Sequence, residues 1–269
     1  MNRKRYAELI VETMRSSQSI FREEFFQEGR IKSFIVDNLL PDDLAHEIYN
    51  AFPNKKEMVF KNDFRERKYV AAQMNCYRPI LEEIIFAFQD PHVVRIVSEI
   101  TGIPNLIPDE NLYAGGISLM CCGDYLNPHI DNSHDHERKN YRALNLLYYV
   151  TPGWETSYGG HLELWDHGVM QSPRTIESKF NKLVVMITGK SSWHSVSKVL
   201  CQGERRCVSN YYFSPHSVDG EDYFHVTSFR GRPEQKFSDS VLRFDSIIRN
   251  GIRKIFKKGV VRTSHIYRK

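Results

Sequence analysis

Short runs of β-branched and aromatic residues, separated by polar turn residues, fill the second half of this 269-residue chain. The runs predict strands over 112–122, 142–151, 160–166, 182–188 and 205–214. Runs of this length and spacing are typical of an antiparallel sandwich or barrel. No helical pattern alternates with the strands and no glycine-rich phosphate loop follows one, which argues against a parallel, nucleotide-binding sheet.

The first hundred residues are predicted to be mainly helical. An amphipathic helix is expected over 1–29, where Gly29 can end it. A strand over 33–38 follows, and further helices are predicted from Pro41 to about Phe52, over 79–88 and over 91–101. The last two each begin with proline, which suits the first helical turn. Helices first and strands later predict an α+β fold.

Composition narrows the class of protein. The chain is 41% hydrophobic and 26% charged, which is ordinary globular usage rather than that of a disordered chain. No run of about 18 apolar residues is present, and the basic N-terminus lacks the apolar stretch of a secretory signal. A net charge of +4 is too small to indicate a nucleic-acid binder.

The cysteines do not suggest a disulfide framework. Their number is odd, no CxxC pair occurs, and they are Cys76, Cys121, Cys122, Cys201 and Cys207. A reducing cytoplasm is the expected location.

His129-Ile130-Asp131 is the first candidate for chemistry. In a strand, residues i and i+2 point the same way, so the imidazole and the carboxylate would project into one cavity. A distant second histidine would complete the two-histidine, one-carboxylate set that binds non-haem Fe(II). The segments 161–163 (HLE) and 134–136 (HDH) offer similar groups, and all three segments also suit surface or loop histidines.

His194 and Arg205 strengthen the first candidate. His194 follows the predicted strand KLVVMIT, and Arg205 opens the strand RRCVSNYYF eleven residues later. A guanidinium near an iron site can form a bidentate pair with the carboxylate of a small cosubstrate. The alternative is that Arg205 and Arg206 are only a basic pair at the start of a strand.

The stretch from about Tyr113 to Phe213 resembles the Fe(II)/2-oxoglutarate-dependent oxygenases, in their prolyl 4-hydroxylase-like branch. The resemblance is carried by HxD, a distal histidine and a basic residue about ten positions later, set within LNLLYYVTPGW, GGHLELWD, NKLVVMITGKSSWHSV and RRCVSNYYF. Upstream, SFIVDNLLPDDLAHEIYNAF is similar to the first strand and helix of this branch. The resemblance implies a double-stranded β-helix (jelly-roll) barrel with helices packed outside.

The family's functional residues can be carried over by motif. The resemblance implies His129, Asp131 and His194 as the metal ligands and catalytic centre. It implies Arg205 and Tyr148 as partners of the distal carboxylate of 2-oxoglutarate, with Leu162 packed against the cosubstrate and Arg206 as the competitor of Arg205. Arg205 is preferred because it shares a strand face with Cys207 and Ser209.

The implied activity is hydroxylation of an unactivated C–H bond with release of succinate and CO2. The cofactors would be Fe(II), 2-oxoglutarate and O2, with ascorbate as reductant. The expected partners are a prolyl or peptidyl substrate, or a glycan or lipid-linked small molecule, and not nucleic acid. Two alternatives stay open, which are a non-catalytic jelly-roll binding module and a zinc-dependent hydrolase with the same ligands.

Residues 1–240 are predicted to form a single oxygenase domain, with a helical part over 1–105 and a barrel core over 106–216. Residues 241–269 are predicted to form a basic, amphipathic tail. This tail suits either peripheral contact with an anionic membrane or another protein, or a helix docked on the barrel with a solvated basic face. The first interpretation would place a cytoplasmic protein at the inner membrane face.

Overall fold

A computed structural model describes residues 2–113, 115–255 and 266–268, of which 253–255 are described by their backbone only. Within these residues the helices are α1 (Arg3–Ser16), α2 (Gln18–Phe25), α3 (Asp42–Ala51), α4 (Pro79–Ala87), α5 (Pro91–Thr101) and α6 (Lys236–Ile255). The last of these begins before residue 241, where the tail was predicted to start. Residues 256–265 and 269 of the predicted tail lie outside the described part of the chain.

The strands form one curled antiparallel sheet. They are β1 (Ser33–Asp37), β2 (Val59–Asn62), β3 (Glu66–Ala71), β4 (Ile107–Pro108), β5 (Gly116–Met120), β6 (Tyr125–Ile130), β7 (Tyr141–Tyr149), β8 (Leu162–Leu164), β9 (Arg174–Ile176), β10 (Lys182–Ile187), β11 (His194–Val196), β12 (Arg205–Ser214) and β13 (Ser228–Phe229). One half has the order β1-β10-β7-β12-β5, the other has the order β6-β11-β8-β9, and β3 joins them. The predicted class, an antiparallel barrel with helices outside, is confirmed.

The alternation of side chains along β7 separates the two faces of this sheet. Leu144, Leu146 and Tyr148 are buried in the large apolar core that also contains the inner faces of α1, α3, α4 and α5. Asn145 and Tyr149 point the other way and line the interior of the barrel. Because the strand has a period of two, the helical layer and the interior receive alternate residues of one sequence run.

The predicted single helix over 1–29 is two helices. Ser17 lies between them with φ −133° and ψ 27°, which is not helical. The break lets Phe25 of α2 pack edge-on against Phe34 of β1, with ring centroids 6.2 Å apart. Packing of both helices on the core therefore outweighs continuation of one straight helix.

The predicted helical part also contains strands that the sequence pattern did not reveal. The hairpin of β2 and β3 joins the sheet because β3 pairs with both β5 and β6. Its residues are charged and only partly buried, so they lack the apolar alternation of a core strand. This hairpin forms one rim of the barrel's interior.

The C-terminal helix docks on the barrel, but with its polar side inward rather than with the solvated basic face that the docked-helix interpretation expected. Its apolar face points away from the barrel, and large side chains such as Phe244 and Ile247 are more than 60% exposed. Leu242, on the opposite face, is fully buried. No helix in the described residues is long and apolar enough to cross a membrane.

Candidate metal and cosubstrate site

The interior of the barrel holds a cavity of about 450 Å³. Its walls come from β5, β7 and β12 on one side and from β6, β8 and β11 on the other, with β3 at the rim. Five of the predicted site residues line this one space, namely His129, Asp131, His194, Arg205 and Leu162.

His129, Asp131 and His194 meet inside the cavity. The Nε2 atom of His129 lies 3.8 Å from Oδ1 of Asp131, and Nε2 of His194 lies 3.7 Å from Oδ2. One ligand atom from each residue lies within 4.8 Å of the others, and all three side chains are buried. It is the one group of metal-binding side chains found in the described part of the chain. The set suits a single ion, with two imidazole nitrogens and one hard carboxylate oxygen.

Backbone carbonyls orient both imidazoles. The Nδ1 of His129 lies 3.0 Å from the carbonyl oxygen of Asn127, and Nδ1 of His194 lies 2.9 Å from that of Ser192. A carbonyl oxygen can only accept, so each Nδ1 carries the hydrogen and each Nε2 keeps its lone pair. This is the tautomer that metal-binding histidines adopt.

The electrostatics keep two of these groups in their ligand forms. Burial, with a smaller effect of the neighbouring His194, lowers the pKa of His129 to about 3. Burial alone would raise the pKa of Asp131, but the Arg142 guanidinium and both imidazoles outweigh it and lower that pKa to about 2. His129 is therefore neutral and Asp131 ionised at neutral pH, and the buried Oδ2 of Asp131 has no hydrogen-bond partner.

Arg205 supplies a buried positive charge on the same cavity wall. Arg205 is the first residue of β12 and is 4% exposed. Its Nε has no hydrogen-bond partner. Its Cζ lies 5.2 Å from the ring centroid of Tyr149, and no carboxylate of the described residues pairs with it. A buried guanidinium without a counter-ion is costly, so this geometry suits an incoming carboxylate.

Arg206 points out of the barrel. Its Nη2 donates to Glu204 at 2.8 Å and its Nη1 donates to the carbonyl oxygen of Tyr49 at 2.8 Å. Alternation along β12 thus places Arg205 inside and Arg206 outside. The structure agrees with the preference for Arg205.

The interpretation of Tyr148 is wrong. Its hydroxyl donates to Oδ1 of Asn181 at 2.9 Å, and its ring lies in the core under the helices, 6.1 Å from that of Phe88. Tyr149 is the tyrosine on the cavity side, where it pairs in register with Cys207 of β12. The two adjacent tyrosines differ only in strand parity, which the sequence does not supply.

Leu162 lies on the cavity wall as predicted and is 1% exposed. Its neighbours point elsewhere: Nδ1 of His161 accepts from the backbone N–H of Ser178, and Glu163 pairs with Arg232 at 2.6 Å. The 161–163 segment is therefore not a second metal site. In the 134–136 segment, the His134 ring packs against Tyr141 with centroids 4.3 Å apart.

Arg142 is a site residue that the sequence analysis missed. Its Nη1 lies 3.3 Å from Oδ1 of Asp131, and its guanidinium lies 4.3 Å from the ring centroid of Tyr211. The residue is fully enclosed and faces the cavity beside Asn145. A charged arginine inside the mainly apolar and aromatic strand YRALNLLYY is the signal that could have revealed it.

Comparison with known proteins agrees with this geometry. Residues 116–214 match the family model described as the 2OG-Fe(II) oxygenase superfamily. Over 110 residues the chain is 31% identical to prolyl 3-hydroxylase OGFOD1 of Mus musculus. This alignment covers 39% of this chain and 20% of that protein. The aligned part thus spans about a fifth of the length of the curated relative.

Solved structures share the fold at low identity. A Pseudomonas putida prolyl-4-hydroxylase is 14% identical, with 78% of this chain and 98% of that chain covered and a TM-score of 0.52. A structure of a Phytophthora capsici prolyl 4-hydroxylase is 14% identical, with 94% of this chain and 79% of that chain covered and a TM-score of 0.53. The predicted resemblance and the jelly-roll fold are confirmed.

Proposed function

We propose that this chain, whose residues 116–214 match the 2OG-Fe(II) oxygenase family model, is an Fe(II)- and 2-oxoglutarate-dependent hydroxylase. One observation carries the proposal. A single buried cavity contains the His129, Asp131 and His194 group together with the buried guanidinium of Arg205, which pairs with no carboxylate of the described residues. A metal site alone would not need that cation.

The three side chains fit a resident Fe(II) ion. Two neutral nitrogens and one carboxylate leave other coordination positions open, as oxygenases of this ligand type require. Fe(II) bound there would supply the activation of O2 that converts an unactivated C–H bond to an alcohol while 2-oxoglutarate is oxidised to succinate and CO2. Arg142 holds Asp131 by its 3.3 Å contact, so the carboxylate stays oriented toward the two imidazoles.

Arg205 would bind the distal carboxylate of 2-oxoglutarate. Its fork of N–H donors matches a carboxylate, and burial strengthens the charge-assisted hydrogen bonds. Tyr149 and Leu162 would form the walls beside the cosubstrate, because both line the cavity near Arg205. Deep burial also excludes water from the reacting groups.

For the substrate we propose a peptidyl proline, because the mouse relative is named a prolyl 3-hydroxylase. A glycan or lipid-linked small molecule is the second candidate. The cavity rim supports this second candidate. It contains charges of both signs that can bind the hydroxyl groups of a glycan, from Asp63, Arg65, Glu66 and Lys68.

The first test is cofactor binding without oxygen. Fe(II) and 2-oxoglutarate added anaerobically should produce the visible charge-transfer band of a chelate of the two, and Arg205→Ala should weaken it while Arg206→Ala should not. Admitting O2, with ascorbate as reductant, should release succinate, and peptides and glycans can then be compared by their stimulation of that release. A protein that binds zinc and shows no band would instead support the hydrolase or the binding module.

A further inference from the structure

One surface of the protein has no function in the site described above. It is an apolar stripe along α6, called here the α6 stripe, which consists of Phe237, Val241, Phe244, Ile247, Ile248 and Ile252. The members are 40–84% exposed, and the first of them is the most exposed large apolar side chain of the described residues. A contiguous apolar surface of this kind marks an interaction site.

The outward direction of the stripe is set by the opposite face of α6. Leu242 is fully buried, and Asp245 accepts from Nη2 and Nε of Arg65 at 2.7 and 3.2 Å. Asn250 accepts from the backbone N–H of Val226 at 2.9 Å. These contacts hold the polar side of the helix against the barrel, so the apolar side cannot turn inward without breaking them.

Helix α6 and the sequence that follows it carry a positive charge. Lys236 and Arg243 are exposed on α6. Its two acids are already neutralised, since Asp239 pairs with Arg230 at 2.6 Å and Asp245 pairs with Arg65. From residue 246 to the end, the sequence has no acidic residue; its basic residues there are Arg249, Arg253, Lys254, Lys257, Lys258, Arg262, Arg268 and Lys269.

The polar side of α6 lies beside the cavity. Arg65 and Arg249 both line the cavity, and both contact Asp245 of α6. The turn between β2 and β3 adds Phe64, which is 47% exposed and lies under the Arg65 guanidinium at 4.8 Å. Helix α6 thus contacts the cavity lining with its polar side and exposes its apolar side to solvent.

We propose that α6 binds the protein to an anionic lipid surface, with the stripe placed at the boundary between headgroups and acyl chains. Apolar residues on one face and Lys or Arg around it are the pattern of helices that lie in the plane of a membrane. Cations flanking such a helix are attracted to anionic headgroups, which a second copy of this basic surface does not offer. The polar side of α6, which contacts Arg65 and Arg249 of the cavity lining, would then face away from the lipid.

The test is sedimentation of the full-length protein with vesicles of phosphatidylcholine alone or mixed with phosphatidylglycerol. The protein should sediment with the mixed vesicles, more weakly with the neutral ones, and less as salt rises. Phe244→Asp combined with Ile247→Asp should weaken binding by about tenfold or more, because charges replace apolar groups at the interface. Met170→Asp, at a 70% exposed position outside α6, should have no effect.

Three outcomes would overturn the proposal. One is no sedimentation with either type of vesicle. A second is equal loss of binding in Met170→Asp and in the α6 variant while both unfold at the same temperature as the unchanged protein. A third is a dimer that the α6 variant breaks in the absence of vesicle binding, which would make a second copy the occupant of the stripe.

Discussion

His129 and His194 are direct partners across the antiparallel pair of β6 and β11, and their ring centroids lie 4.1 Å apart. Each imidazole is held by the carbonyl oxygen two residues earlier in the chain. The pairing therefore presents two equivalent Nε2 atoms to Asp131, which lies one residue beyond the end of β6. The register of β6 and β11 thus brings the three candidate metal ligands together.

Metal binding should depend on all three side chains. Fe(II) at about 100 times its dissociation constant should stabilise the protein by about 2.7 kcal/mol, if the metal binds only the folded state. Asp131→Asn and His194→Gln should abolish this shift, measured as the unfolding temperature under anaerobic conditions. His136→Gln, at an exposed position in the nearby 134–136 segment, is the control and should keep it. Retention of the shift in Asp131→Asn would refute the assignment.

Substitutions of Arg205 and of its neighbour Arg206 provide a test and a matched control for cosubstrate binding. Replacing Arg205 with lysine keeps the charge but loses the bidentate geometry, so KM for 2-oxoglutarate should rise about 10- to 100-fold, the value of one or two charge-assisted hydrogen bonds. Arg206→Lys should leave that KM unchanged, because Arg206 contacts Glu204 and Tyr49 outside the cavity. Succinate release against 2-oxoglutarate concentration measures both, and equal effects in the two variants would contradict the assignment.

Substitutions of the two adjacent tyrosines should have different effects, one on stability and the other on cosubstrate binding. Tyr148→Phe removes a buried hydrogen bond to Asn181 and should lower the free energy of unfolding by about 1 kcal/mol without changing KM for 2-oxoglutarate. Tyr149→Phe should raise that KM, because Tyr149 lies on the cavity wall beside Arg205. Urea unfolding and succinate release measure the two quantities. The reverse pattern would restore Tyr148 as the cosubstrate residue.

His225 should make stability depend on pH. Burial lowers the pKa of its imidazole from the ordinary value of 6.5, and its Nε2 is buried without a hydrogen-bond partner. Below pH 6.5 the histidine of the unfolded chain binds a proton more strongly than that of the folded protein. The free energy of unfolding is therefore highest above this pH and falls as the pH drops. One proton can contribute at most about 1.4 kcal/mol per pH unit.

The measurement compares urea unfolding at about pH 7.5 and 5.5, on either side of the ordinary histidine pKa. His225→Gln should reduce the loss of stability between these two conditions. His167→Gln, at an exposed position, should leave the loss as it is in the unchanged protein. An identical loss in the His225 variant would show that this imidazole does not contribute.

Much of the architecture could be predicted because it rests on local patterns. The proline-initiated helices α4 and α5 and the long strands β7, β10 and β12 each bury a periodic set of apolar residues, and the pattern is visible in the sequence. The strands β2 and β3 could not be found this way, because charged residues at the cavity rim replace the alternation.

The sequence alone predicted helices first and long strands later, the resemblance to an oxygenase family and the residue types of the site. The folded structure was needed to show which of Tyr148 and Tyr149 faces the cavity, that Arg142 holds Asp131, and that α6 turns its apolar face outward. The physical reason is that strand parity and helix rotation depend on partners distant in the chain. For α6 the partner is Arg65, whose pair with Asp245 joins residues 180 positions apart.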